Sequence, residues 1–153
     1  MKEALREAEK AFQKGEVPVG AVVVYQNKII ARAYNQMEML HDPTAHAEMI
    51  AITQAADFLR SQGGDKHRGS LEKTSLYATI EPCPMCAGAL VVSHCENLIF
   101  AAKDAKAGAC VSLYQITQDD RLNHQLNVTG GIMETEARML LQEFFRSLRK
   151  EKR

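Results

Sequence analysis

Apolar side chains recur at helical spacing near both ends of the chain. Residues 2–14 carry Ala4, Leu5, Ala8, Ala11 and Phe12 on one helical face. Residues 134–150 repeat the pattern with Ala137, Leu140, Leu141, Phe144, Phe145 and Leu148. Each set follows the 3.6-residue period of an amphipathic helix, and Gly15 is placed to end the first one. The pattern therefore predicts a packed helix near each end of the chain, with Phe144 buried.

Short apolar runs between those helices predict strands instead. They cover residues 19–25, 29–34, 75–80, 98–101 and 126–129. The first two runs flank Gln26-Asn27-Lys28, a hairpin turn in which Asn27 can adopt a left-handed conformation. Two further helices are predicted at 44–60 and 83–94, a short one at 111–117, and loops at 35–43, 61–73 and 103–108. Strands alternating with helices predict one α/β domain over residues 1–153, with helices on both faces of the sheet.

Charge and composition narrow the class of protein. The 153 residues include 19 basic and 19 acidic side chains, a balance that weighs mildly against a nucleic-acid partner. Basic residues nevertheless accumulate toward the end of the chain, where they could meet a phosphate backbone: Arg138, Arg146, Arg149, Lys150, Lys152 and Arg153. The polar N-terminus does not resemble a signal peptide, and no apolar run reaches membrane-spanning length, so we expect a cytoplasmic protein without a membrane partner.

The chemistry is concentrated around Cys83 and Cys86, which lie between a predicted strand and a predicted helix. A helix N-terminus favours thiolates, which bind zinc well. His46, in the sequence His46-Ala47-Glu48, supplies a third ligand of the right kind. Three protein ligands and one open position are typical of catalytic zinc, and Glu48 would then move the protons of a water molecule held there. Because residues i and i+2 of a helix point about 200° apart, His46 and Glu48 must lie at a helix edge.

Other interpretations of the two cysteines remain open at this point. A closed structural zinc site would recruit Cys95, Cys110 or His94 as its fourth ligand, and a thioredoxin-like redox pair would need no metal. Cys95 and Cys110 are more typical of buried core thiols. A non-catalytic RNA-binding or partner subunit that keeps zinc only for folding is a further alternative, against which Glu48 argues.

The His-x-Glu and Pro-Cys-x-x-Cys sequences resemble the zinc-dependent nucleoside and nucleobase deaminases. The resemblance extends to residues 16–21, 42–48, 81–89, 104–109, 122–124 and 144–146, and there it is to the tRNA-editing subfamily. It implies a three-layer α/β/α cytidine-deaminase-like fold with a central five-stranded mixed sheet. It also implies one zinc ion per subunit, a homodimer, and conversion of adenosine to inosine at the wobble position of a tRNA anticodon stem-loop. A deaminase of the same fold acting on free guanine, cytosine or a nucleotide is the nearest alternative.

The same resemblance assigns roles to residues outside the metal site. Asn35 would hydrogen-bond the target base, and Asp104 and Lys106 would lie near the sugar and phosphates of the flipped nucleotide. Phe145 and Arg146 would contact the anticodon loop by stacking and by charge. Two departures from the subfamily stand out: residues 61–73 form a longer loop, and Val111 replaces an expected glycine.

Overall fold

A single mixed sheet lies at the centre of the molecule, in a computed structural model that describes residues 1–63 and 69–151. Its strands are β1 (Gly20–Tyr25), β2 (Lys28–Tyr34), β3 (Thr74–Ile80), β4 (Asn97–Ala102) and β5 (Asn127–Thr129), in the order β2-β1-β3-β4-β5. The β1 strand pairs antiparallel with both β2 and β3, whereas β3, β4 and β5 run parallel. The predicted five-stranded mixed sheet is therefore confirmed.

The hairpin between β1 and β2 follows from its turn residues. Gln26 and Asn27 both have positive φ angles, of 49° and 61°. This is the backbone conformation of a type I′ turn, whose twist matches that of the adjoining strands, and asparagine tolerates it well. The register places Tyr25 opposite Lys28, so the turn has two residues, one fewer than the sequence predicted, and Lys28 belongs to β2.

Helices cover both faces of the sheet, as the alternating pattern predicted. They are α1 (Lys2–Gln13), α2 (Met37–Leu40), α3 (Ala47–Gly63), α4 (Pro84–Val92) and α5 (Glu134–Glu151). The helix α1 packs directly against the sheet at Gly20. A Cβ at Gly20 would lie 2.1 Å from the carbonyl oxygen of Ala4, so no side chain fits between the strand and the helix. Ala21 and Val23 point to the other side and pack in one cluster with the buried face of α3.

The two faces bury cores of different size. The larger cluster joins α3 and α4 to the sheet and includes Leu59, Leu90 and Phe100. A smaller cluster, between the sheet and the helices α1 and α5, contains Leu5, Ala101, Ala102 and Ala137. The layers are therefore α1 and α5, then the sheet, then α3 and α4, which is the three-layer arrangement that the resemblance implied. No helix within the two described segments is both long and apolar enough to cross a bilayer.

Four details of the predicted elements were wrong. The second long helix begins at Ala47 and ends at Gly63, whereas residues 44–60 were predicted. The predicted loop at 35–43 contains α2, whose N–H groups at Glu38 and Met39 donate to the buried Glu16 carboxylate. Residues 111–117 form turns and only a 3₁₀ segment at Ile116–Gln118. The helix predicted at 83–94 is shorter, Pro84–Val92.

Part of the predicted loop at 61–73, residues 64–68, lies outside the described residues.

Candidate active site

The two cysteines occupy the first turn of α4. Cys83 is the N-cap residue, with extended backbone angles (φ −70°, ψ 173°), and Pro84 is the first helical residue. Proline suits this position because its missing N–H would have no helical partner there. Cys86 follows within the first turn and is buried. Both sulfur atoms therefore lie at the positive end of the helix dipole, which stabilises thiolates.

His46 and Glu48 lie at the start of α3. The carbonyl oxygen of His46 accepts the first helical hydrogen bond, from Ile50 N–H at 3.1 Å, so His46 caps the helix and Glu48 lies in its first turn. Because the helix begins at Ala47, the His46 backbone is free of helical angles, and the i, i+2 pair satisfies the helix-edge condition. The Glu48 side chain is buried, with 2% of the residue exposed.

The three predicted ligands converge. The Nδ1 atom of His46 lies 3.6 Å from the Sγ atoms of both Cys83 and Cys86, and the three ligand atoms all lie within 4.8 Å of one another. Ligands at ordinary Zn–N and Zn–S bond lengths occupy tetrahedron corners about 3.5–3.8 Å apart. The donor set and its spacing therefore fit a tetrahedral metal ion with three protein ligands. Within the described residues, neither Cys95, Cys110 nor His94 joins this group.

The ionisation of these groups reflects their proximity. A hydrogen bond with Cys86 lowers the pKa of the Cys83 thiol to about 4, and His46 adds to the effect. Sharing that proton raises the pKa of Cys86, and the hydrogen bond to Cys83 raises the pKa of His46. Burial raises the pKa of the Glu48 carboxyl to about 7. Cys86 and His46 thus hold protons that a divalent cation would displace on binding, because its ligands are thiolates and a neutral imidazole.

Asn35 connects the end of β2 to this site. Its Oδ1 atom accepts a hydrogen bond from the N–H of Ala47 at 2.8 Å, which fixes the residue against the first turn of α3. Asn35 is also buried. The amide oxygen is therefore occupied, and its Nδ2 group is the part of the side chain that remains to donate to a ligand.

Asp104 and Lys106 lie in the loop that follows β4, residues 103–115. The Oδ1 atom of Asp104 accepts hydrogen bonds from the N–H groups of Lys106 and Ala107, at 2.9 and 3.2 Å, so this side chain stabilises its own loop. Val111, in the same loop, does not have a positive φ angle and its side chain is 40% exposed. The residue that departs from the subfamily is therefore accommodated without backbone strain.

The last helix carries Phe144 inward and Phe145 outward. Phe144 is buried, as predicted, and its ring meets that of Phe12 edge-on with the ring centres 5.6 Å apart. Phe145 is 44% exposed and packs edge-on against Phe144. Aromatic pairs of this geometry favour one orientation of the rings. Burial of Phe144 thus fixes the helix so that Phe145 faces solvent.

A groove of about 820 Å³ brings three of the predicted substrate residues together, namely Lys106, Phe145 and Arg146. Arg138 and Arg149, which belong to the basic residues gathered toward the end of the chain, also line it. Their spacing was an available signal, since residues 138, 142, 145 and 149 recur at helical intervals on one face of α5. The groove thus presents a cationic wall with one exposed aromatic ring.

Comparison with known proteins identifies the family. Residues 1–149 match the family described as MafB19-like deaminase. The chain is 47% identical over 153 residues to a tRNA-specific adenosine deaminase of Bacillus subtilis (strain 168), covering 100% of this chain and 91% of the relative. It is 48% identical over 149 residues to a tRNA-specific adenosine deaminase of Aquifex aeolicus (strain VF5), covering 97% of this chain and 93% of the relative.

A solved structure agrees with these relatives. It comes from studies of A-to-I editing by tRNA deaminases at the wobble position of transfer RNA, and it matches with a TM-score of 0.82 at 35% identity. The match covers 92% of this chain and 97% of that one. The chain therefore belongs to the MafB19-like deaminase family and, within it, to the tRNA-specific adenosine deaminases.

Proposed function

We propose that this protein hydrolyses adenosine to inosine, with release of ammonia, at the wobble position of tRNA anticodons. The observation that carries the reaction is the convergence of His46, Cys83 and Cys86 beside the buried Glu48. The substrate is supported by full-length relatives that are tRNA-specific adenosine deaminases. A tRNA substrate also leads us to expect a cytoplasmic enzyme. Residues 1–153 would form one deaminase domain, since all five strands belong to one sheet.

The proposed metal is zinc, one ion per subunit, held by His46, Cys83 and Cys86. Thiolate and imidazole ligands at these spacings are those that zinc prefers, and three of them leave one coordination position open. When bound, zinc would supply Lewis-acid chemistry that makes water nucleophilic near neutral pH. The three residues would hold the ion at two helix N-termini that the sheet fixes in place.

Glu48 would carry the protons. It would take a proton from the attacking water and deliver it to the ring nitrogen of adenine next to C6. It would then transfer the remaining proton of the hydroxyl group on C6 to the departing amino group, which leaves as ammonia. Glu48 lies in the first turn of α3, and His46, a proposed metal ligand, caps the same helix. The Glu48 carboxylate would therefore lie close to both the attacking water and the adenine base. The Nδ2 group of Asn35 would donate to an acceptor nitrogen of the base, and its fixed Oδ1 keeps the donor oriented.

The groove beside α5 supports an RNA substrate over a free base. Lys106, Arg138, Arg146 and Arg149 line it together with the exposed ring of Phe145. Cationic side chains bind phosphates, and an exposed aromatic ring stacks on unpaired bases, as the loop of an anticodon provides. A free nucleobase carries no phosphate chain that would need such a surface.

An inosine assay tests the substrate. We expect the zinc-loaded protein to form inosine in an anticodon stem-loop with adenosine at the wobble position, measured by nuclease digestion and mass spectrometry. The same stem-loop with adenosine moved to the neighbouring loop position is the matched control and should stay unmodified. Turnover of free guanine, cytosine or a nucleotide, with no inosine in RNA, would establish the alternative deaminase activity instead.

The proposed homodimer has a candidate surface on α4. None of its nine residues is charged, and Val92 at its end is 80% exposed. Apolar surface of this kind favours association with another chain. We expect Val92→Glu to shift the protein from dimer to monomer in sedimentation velocity experiments, because a buried charge has no partner there. Met139→Glu, at an exposed apolar residue of α5, is the control, and an equally dimeric Val92→Glu protein would contradict this surface.

A further inference from the structure

Glu81 is a buried carboxylate that the proposed reaction does not use. It follows β3 directly and precedes Pro82-Cys83, and only 2% of the residue is exposed. Its backbone N–H donates to the carbonyl oxygen of Ala102, at the end of β4, at 2.8 Å. The start of this side chain is therefore fixed by two neighbouring strands of the sheet.

Five donors from one loop surround the Glu81 carboxylate. Its Oε1 atom accepts from the N–H groups of Cys110, Val111 and Ser112, at 3.2, 2.7 and 2.8 Å. Its Oε2 atom accepts from the N–H of Asp104 at 3.0 Å and from the Ser112 hydroxyl. A carboxylate offers about four acceptor sites, so its capacity is filled. Every donor belongs to residues 103–115, so this loop is folded around a single side chain.

The loop approaches Glu81 too closely for any side chain at Gly108. A Cβ there would lie 2.3 Å from Oε2. The Gly108 N–H donates to the carbonyl oxygen of Asp104, and the Gly108 oxygen accepts from Leu113 N–H, both at 2.9 Å. Backbone hydrogen bonds within the loop therefore also hold Gly108 next to the Glu81 carboxylate.

Glu81 stands between two parts of the site. Two residues after it comes Cys83, a proposed metal ligand, and the loop it holds carries Lys106 into the groove with Phe145 and Arg146. We propose that Glu81 is a positioning residue, whose carboxylate fixes residues 103–115 so that Lys106 engages the RNA backbone while the target base reaches the metal site. This inference rests on the proposed RNA substrate.

Glu81→Gln tests the role with little change in volume. Glutamine has one amide oxygen and one NH₂ group, and the NH₂ group cannot accept a hydrogen bond. The hydrogen bonds that the loop donates to one of the two carboxylate oxygens would therefore be lost. We expect the dissociation constant and KM for the stem-loop to rise about tenfold, with a much smaller change in kcat and an unchanged zinc content. Amide hydrogen exchange at Val111 and Ser112 should accelerate. Glu81→Asp retains the charge and should recover part of the affinity.

A matched control separates positioning from general stability. Glu7 is another buried glutamate, in α1, and Glu7→Gln should leave RNA affinity and exchange in residues 103–115 unchanged. If Glu81→Gln instead lowers only the amount of folded enzyme, KM and the dissociation constant will stay at their normal values. That result would reduce Glu81 to a folding residue and overturn the proposal.

Coupling to Lys106 gives the sharpest test. If Glu81 acts through this loop, Lys106→Ala should weaken RNA binding clearly in the normal protein and by a smaller factor in the Glu81→Gln background. Equal factors in both backgrounds would overturn the inference while leaving the proposed function intact, whereas absence of inosine formation by the normal protein would overturn the function itself. Should Glu81→Gln fail to fold, Ser112→Ala removes one donor only and enters the same cycle.

Discussion

Glu48→Gln is expected to reduce inosine formation by at least about 10³-fold, within the range that general acid–base groups contribute. Glutamine keeps the shape of the buried side chain but cannot accept the proton of water or return it to the base. The metal ligands are unchanged, so zinc content should stay at one ion per chain. Single-turnover assays with the stem-loop would measure the rate, and elemental analysis would measure the metal.

The control for this variant is Glu7→Gln, which removes a buried carboxylate from α1 on the other face of the sheet. It should retain the normal rate. Full activity in Glu48→Gln would contradict the proton-transfer role. It would also reopen the interpretation of the protein as a non-catalytic subunit, in which zinc serves folding alone.

Cys83→Ala is expected to remove both the zinc and the activity. The substitution leaves His46 and Cys86 as the only ligands of the trio, and two ligands do not hold zinc against dilution at ordinary concentrations. We expect less than a tenth of a zinc ion per chain, a rate near background and a lower melting temperature, because bound metal stabilises the folded state. Elemental analysis, the inosine assay and thermal unfolding would measure the three effects.

Cys95→Ala is the matched control for that experiment. Cys95 is fully buried, outside the trio, and its sulfur lies near Thr74. Its loss should lower stability by about 1 kcal/mol through the small cavity it leaves, without loss of metal. Retention of one zinc ion by Cys83→Ala would show that the assigned ligand set is wrong.

Each half of the candidate metal site could be predicted because its sequence pattern is local. Cys83 and Cys86 lie within one turn, and the pairing of His46 with Glu48 needs only a helix start beside them. The exact start of α3 could not be predicted, because Asp42 competes for it. Its Oδ1 atom accepts from the N–H of Thr44 at 2.8 Å and from the Thr44 hydroxyl, which holds the chain in a turn until His46.

The loop at 103–115 shows the opposite case. Apolar spacing at 111–117 predicted a helix, but the N–H groups of Val111 and Ser112 donate to Glu81, about thirty residues earlier in the chain. A pattern within a short window cannot register a partner so far away.

The layered arrangement places the proposed catalytic residues and the groove on different elements of the fold. The proposed metal ligands and Glu48 come from α3 and α4, on one face of the sheet, whereas the groove is walled by α5 on the other face and by the loop after β4. If the groove binds RNA as proposed, substitutions in its wall would change which RNA is bound and would leave unchanged the residues proposed to break the carbon–nitrogen bond. A lineage built on this architecture can therefore diversify its targets while its chemistry stays constant.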